Sequence, residues 1–142
     1  VSLVNDRQET PPDAAPLRPH EVEIRMLADK NRVPGVRALA SDIAMREDFD
    51  LDTIEDLRLA VEEALAILIA NADPDGTLVC RLLICRPHVE ISASVRMRTG
   101  RQPTVGPMSL RILRTLSDLT DFWTTGVDGS RMFHVQLTRS IQ

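Results

Sequence analysis

The chain has 142 residues, the length of one ordinary domain with a single core. Hydrophobic residues make up 43% and charged residues 27%, values of a globular chain rather than a disordered one, and at 3% aromatics the core must be mostly aliphatic. The net charge of -4 and pI near 5.3 exclude a surface built to gather nucleic acid, because phosphate binding rests on clustered Lys and Arg.

Residues 1–20 hold four prolines and mixed charge, which predicts a flexible leader ahead of one domain over 21–142. Glu21–Ala28 alternates Val22, Ile24 and Met26 with charged residues, the pattern of a half-buried strand. Asn31–Pro34 then offers a cap and an early proline, and Val36, Leu39, Ala40 and Ile43 predict a helix from about Val33 to Arg46. A second helix follows, with Asp52 as the expected cap and Glu55 three residues on. Ile54, Leu57, Val61, Leu65, Leu68 and Ala72 recur at helical spacing until Pro74 and Gly76 break the pattern.

Thr77–Cys85 and His88–Met97 read as two strands joined by a tight turn at Arg86-Pro87. Cys80 and Cys85 lie five apart in one strand, so they face opposite sides and cannot pair. They are expected as buried free thiols of a cytoplasmic protein. Thr99–Met108 is a loop by composition. Leu110, Ile112, Leu113, Leu116 and Leu119 predict a helix from Ser109 to about Phe122, and Phe122–Thr125 with Arg131–Thr138 a closing hairpin. No apolar run is long enough to span a membrane, and no signal peptide is visible. The order predicts a two-layer α+β sandwich, with helices on one face of a mixed, mainly antiparallel sheet.

One segment carries more than fold. Asp56-Leu-Arg-Leu-Ala-Val-Glu-Glu63-Ala resembles the "DLRLAVDEACTNAVEHA" type of segment in anti-sigma factor serine kinases, the RsbW-like branch of the GHKL (Bergerat-fold) ATPases. Ser109–Thr120 is similar to the family's "GLxLIRALVDEV" helix, and Val135–Arg139 to its last strand. The resemblance covers about Glu21 to Thr138 and is nearest to the divergent actinobacterial branch of the UsfX type.

The resemblance implies a site. Glu63 matches the general base that takes a proton from a partner's serine. Four residues on, where the family holds Mg²⁺ with Asn, stands Ile67, which offers no oxygen to a hard cation. Asn71 falls one turn further. The family's adenine-reading Asp is replaced by Arg98, ahead of Gly100, and its glycine-rich lid shrinks to Gly106-Pro-Met-Ser109. Asn71, Gly100 and Gly106 are the remaining candidates for nucleotide contact. Three losses in one site predict that Mg-ATP is held weakly or not at all, so no cofactor is expected, no metal ligand is assigned, and kinase activity is expected to be little or none.

Partner binding is the other implied role. Glu47, Asp48, Asp50, Asp52, Glu55 and Asp56 form an acidic run extended by Glu62 and Glu63, with Arg58 the sole base in the stretch. Arg98 and Arg101 belong to a group of five arginines between Arg96 and Arg114, where no acid occurs. Both are candidate docking surfaces. By resemblance the partners are an alternative sigma factor, a STAS-domain anti-anti-sigma factor and a second copy of the chain. An active serine kinase and a nucleotide- or metabolite-sensing module are the alternatives.

Overall fold

The computed structural model describes residues 4–7, 16–127 and 129–141. Ten elements follow one another: β1 (Asn5–Arg7), β2 (Glu21–Leu27), a 3-10 turn (Lys30–Arg32), α1 (Val33–Arg46), α2 (Leu51–Asn71), β3 (Thr77–Cys85), β4 (His88–Arg96), α3 (Pro107–Leu116), β5 (Leu119–Thr125) and β6 (Met132–Ser140). The strands form one sheet in the order β1-β5-β6-β4-β3-β2. Every neighbouring pair is antiparallel except β1 with β5, which run parallel from Asn5↔Trp123 to Arg7↔Thr125. The expected α+β sandwich is what forms.

Strand alternation decides which residues meet the helices. Leu78, Cys80 and Leu82 of β3, Val89, Ile91, Ala93 and Val95 of β4, and Phe133, Val135 and Leu137 of β6 all join the core. The helices supply Val36, Ala40 and Ala44 from α1, Leu57, Val61, Leu65 and Leu68 from α2, and Leu110 and Leu113 from α3. Leu57, Leu65, Leu68 and Leu113 are at most 1% exposed, each worth roughly 2 kcal/mol of transfer free energy. The few aromatics are concentrated: Phe122 and Phe133 stack at 5.8 Å, closing the core beneath α3.

Several local expectations are corrected. Asn5–Arg7 pairs with the sheet, so part of the expected leader is a strand. The rest of that expectation, residues 1–3 and 8–15, lies outside the described residues. The cap of α2 is Asp50, not Asp52: its carboxylate accepts from Thr53 N at 2.8 Å, and Asp52 lies in the first turn. The third helix stops at Leu116 instead of Phe122. Ser117 Oγ donates to Leu113 O at 2.6 Å and ends it, while Asp118 accepts from Ser140 N at 2.6 Å and starts β5 beside the end of β6. Leu119 continued the apolar spacing, but it is 68% exposed on a strand. Cys80 is buried as expected, but Cys85 is exposed, because alternation turns it to the sheet face away from the helices at the end of the strand.

Candidate functional site

The C-terminal half of α2 is the place to which the resemblance points. Glu63, Ile67 and Asn71 share one stripe, as their spacing predicts. The stripe tilts inward along its length. Glu63 is half-buried, Ile67 is 6% exposed and belongs to the core, and Asn71 is 7% exposed. Glu63 has no hydrogen-bonded or ionic partner among the described residues. Its neighbour Glu62 turns the other way and accepts from Arg37 of α1 at 3.0 Å.

Asn71 was a candidate for nucleotide contact, and the structure gives it another task. Its Nδ2 donates to Ile67 O and to Thr104 O, both at 2.8 Å, and its Oδ1 accepts from Thr104 N at 2.8 Å. The amide's two donors are both used, and its oxygen holds the loop that follows β4. Thr104 lies in the loop ahead of Gly106 and α3, so that loop is tied to the end of α2.

Arg98 reaches the same helix end. Its Nε donates to Ala72 O at 3.0 Å and its backbone N donates to Asn71 O at 3.3 Å. A cation there satisfies carbonyls that lack intrahelical partners and opposes the negative end of the helix dipole. Met97 bridges to Ala72, Asp73 N donates to Arg96 O at 2.8 Å, and Arg96 pairs with Asp73 at 3.2 Å. The chain leaving β4 therefore runs along the exit of α2 and fastens to it residue by residue.

The two glycines divide. Gly100 has φ +75, a conformation that L side chains rarely adopt, so the turn requires it. Gly106 is the cap position of α3 with φ -62, which any residue adopts, and Pro107 follows at the first helical position and removes one donor. Arg101, Arg111 and Arg114 are exposed. All five arginines of the group are exposed, and two of them, Arg96 and Arg98, also bond to the exit of α2.

The acidic run is also partly absorbed. Asp50 caps α2, and its carboxyl is held below the usual range by the Thr53 side-chain and backbone hydrogen bonds, with Arg139 adding a smaller pull. Glu55 is lowered by its hydrogen bond to Arg58, 2.6 Å away. Glu47 accepts from Arg86 through its backbone O at 2.7 Å and faces it at 3.5 Å through its carboxylate. Asp56 meets Arg139 at 2.9 Å. Asp48 holds φ 58, and Asp52 is exposed. In the linear sequence Arg58 is the lone base there; folding adds Arg86 and Arg139 from 39 and 83 residues away. Thr104, Arg86 and Arg139 were not singled out from sequence, and no local signal marks them, because each acts on a residue distant in the chain.

No family model matches the chain. It is 35% identical over 99 residues to the anti-sigma-F factor RsbW of two Mycobacterium tuberculosis strains, a match that covers 68% of this chain. The chain spans little over half, 58%, of the length of these curated relatives. A crystal structure of the RsbU and RsbW domains of a Mycobacterium tuberculosis protein superposes with a TM-score of 0.65 at 18% identity, covering 85% of this chain and 32% of that one. That likeness concerns the fold. With the sequence match beside it, the chain belongs to the RsbW-like family and carries its GHKL-type fold.

Proposed function

We propose that the chain is an anti-sigma factor that holds an alternative sigma factor without help from nucleotide, and that a STAS-domain anti-anti-sigma protein releases it. The kinship with RsbW supports the first part. The bonding of Asn71 supports independence from nucleotide: the groups nearest a family-type nucleotide site are engaged with the fold, Asn71 with Thr104 and Arg98 with Ala72. Ile67, buried among aliphatic neighbours, gives a magnesium ion no oxygen. A carboxylate able to read adenine is absent from 91–117. Mg-ATP does not fit this donor set.

Sigma binding then depends on surface charge and shape. The outward residues of the acidic corner, Asp48 and Asp52, and the exposed Arg101 are the contacts to test first, since charges already paired inside the chain offer a partner less. The expected result is co-purification of the chain with a sigma factor of its host and an affinity unaltered by Mg-ATP. Failure to bind any sigma factor of the host overturns the role. An affinity that rises with Mg-ATP overturns nucleotide independence.

Glu63 favours a second reading. It is half-buried and unpaired among the described residues, as a carboxylate used for proton transfer would be. Transfer of labelled phosphate to a STAS partner, lost in Glu63→Gln, would establish the kinase.

A further inference from the structure

β2 closes the sheet on one side, and among the described residues no strand lies beyond it. The parity of its hydrogen bonds tells which groups face outward. His20 O accepts from Ile84 N at 3.1 Å and Ala28 N donates to Gly76 O at 3.0 Å, so the even-numbered residues between them point their backbone groups at β3. The odd-numbered residues, Glu21, Glu23, Arg25 and Leu27, turn theirs to the outer edge. The two ends agree with this: Glu21 N donates to Arg18 O and Leu27 O accepts from Asp29 N, both away from β3. Between those ends the edge runs on without proline, and its register with β3 is unbroken by a bulge. An open ladder of this kind takes up another strand unless something blunts it.

The strand is complementary to itself. Run antiparallel to a copy about an axis at Ile24, the segment Glu21-Val-Glu-Ile-Arg-Met-Leu27 sets Glu23 opposite Arg25 of the copy, and Arg25 opposite its Glu23. Val22 then faces Met26, apolar on apolar. Both charged rungs fall on residues whose backbone groups face outward, so they are also the rungs that exchange hydrogen bonds. A slip of two residues either way centres the axis on Glu23 or on Arg25, which puts like charges face to face and shortens the overlap. The charges thus blunt the edge against most strands and suit it to its own. Glu23 is steadied for this by Arg81, 2.7 Å away, and the side chain of Arg25 is 48% exposed. On the helix side, Val22 and Ile24 line a shallow apolar crevice with Leu39 and Ile43 of α1. Val22 and Leu39 are 37% and 36% exposed, apolar surface that a second strand beside β2 would cover.

We propose that the outer edge of β2 seats a second copy of this chain, paired antiparallel about Ile24, so that two six-stranded sheets become one. The pairing concerns the chain alone and does not depend on the function proposed above.

The full chain, 15.8 kDa as a monomer, is followed by sedimentation equilibrium across concentration, with exchange of the Glu23 amide read by NMR on the same samples. The mass should rise toward twice the monomer value with a dissociation constant below about 1 mM. The Glu23 amide, which faces outward, should exchange more slowly as the dimer fills. Arg25→Glu puts like charges on both rungs and should weaken association at least fivefold. Arg25→Pro removes an outward N–H, spares the ladder to β3, and should abolish association. If Arg25→Pro fails to fold, Arg25→Glu decides. A chain still monomeric at about 1 mM overturns the proposal. So does a dimer that leaves the Glu23 amide unprotected or that Arg25→Glu does not weaken. Protection of Glu23 in the monomer, independent of concentration, would mean that the chain's own residues fill the edge, and overturns it as well.

Discussion

The side chain of Asn71 and the backbone of Thr104 are paired as two peptide groups are paired in a sheet, donor to acceptor in both directions at 2.8 Å. The pair joins the last turn of α2 to a loop 33 residues further on. It fastens the loop ahead of α3 to the end of α2.

Asn71→Ala removes that fastening and leaves the backbone N–H and C=O of Thr104 without their partner. The expected cost is about 2–3 kcal/mol, since the change strips a largely buried amide of several hydrogen bonds. The Thr104 amide should lose its protection in hydrogen exchange while amides of β4 and β6 keep theirs. Uniform loss across the sheet would mean that the pair holds the whole fold rather than the loop.

Ile67→Asn supplies the side-chain oxygen that the resemblance leads one to expect at this position. It places an amide in the core and should destabilise the chain by about 2 kcal/mol or more. It should not bring saturable Mg-ATP binding by itself, because Arg98 and the Asn71–Thr104 pair remain. Calorimetric titration of the variant checks this; binding would single out Ile67 as the sole barrier.

Asp50 and Asp118 tie stability to acid pH. Both carboxyls are held below the usual aspartate range, Asp50 first by the Thr53 hydroxyl and Asp118 first by the Ser140 hydroxyl. Lowered values mean that the folded state favours the charged form more than the unfolded state does. Their contribution is complete above the unfolded aspartate value of about 3.9 and is lost as pH falls through the lower folded values. Asp50→Asn, which keeps a capping oxygen, should flatten this part of the acid melting profile. Asp50→Ala should also lower the midpoint at neutral pH.

The two cysteines should differ sharply toward alkylation. Burial pushes the Cys80 thiol up to about 12, whereas Cys85 is exposed at the end of β3. Native protein at pH 8 should take one iodoacetamide label, at Cys85, and unfolded protein two. Native labelling of Cys80, read by peptide mass, would show that the sheet opens beneath the helices.

Arg98→Ala takes a cation from the end of α2 and should cost about 0.5–1 kcal/mol, with fraying at Ala72 visible in exchange. Arg101→Ala, exposed in the same loop, should leave stability unaltered. A sigma-binding defect in Arg101→Ala alone would then locate the partner surface.

Periodicity and a family-type segment were enough to place α1, α2 and β3 and the inward faces of β4 and β6, because a core-facing stripe is a local property of the chain. The same resemblance singled out Glu63 and Ile67 on α2, and Arg98 after β4, as positions to examine. Element ends were less legible. The cap at Asp50 and the stop after Leu116 depend on single side-chain hydrogen bonds, and Asp52 and Leu119 satisfied the same local patterns. Beyond the ends, sequence offered Asn71 as a candidate for nucleotide contact and Arg98 as a candidate docking residue, without showing what either bonds to in the fold. Only the tertiary structure decided which groups they bond to. A hydrogen bond across 26 or 33 residues has no imprint on local composition, and it takes the packed sheet to bring Thr104 and Arg98 to the end of α2.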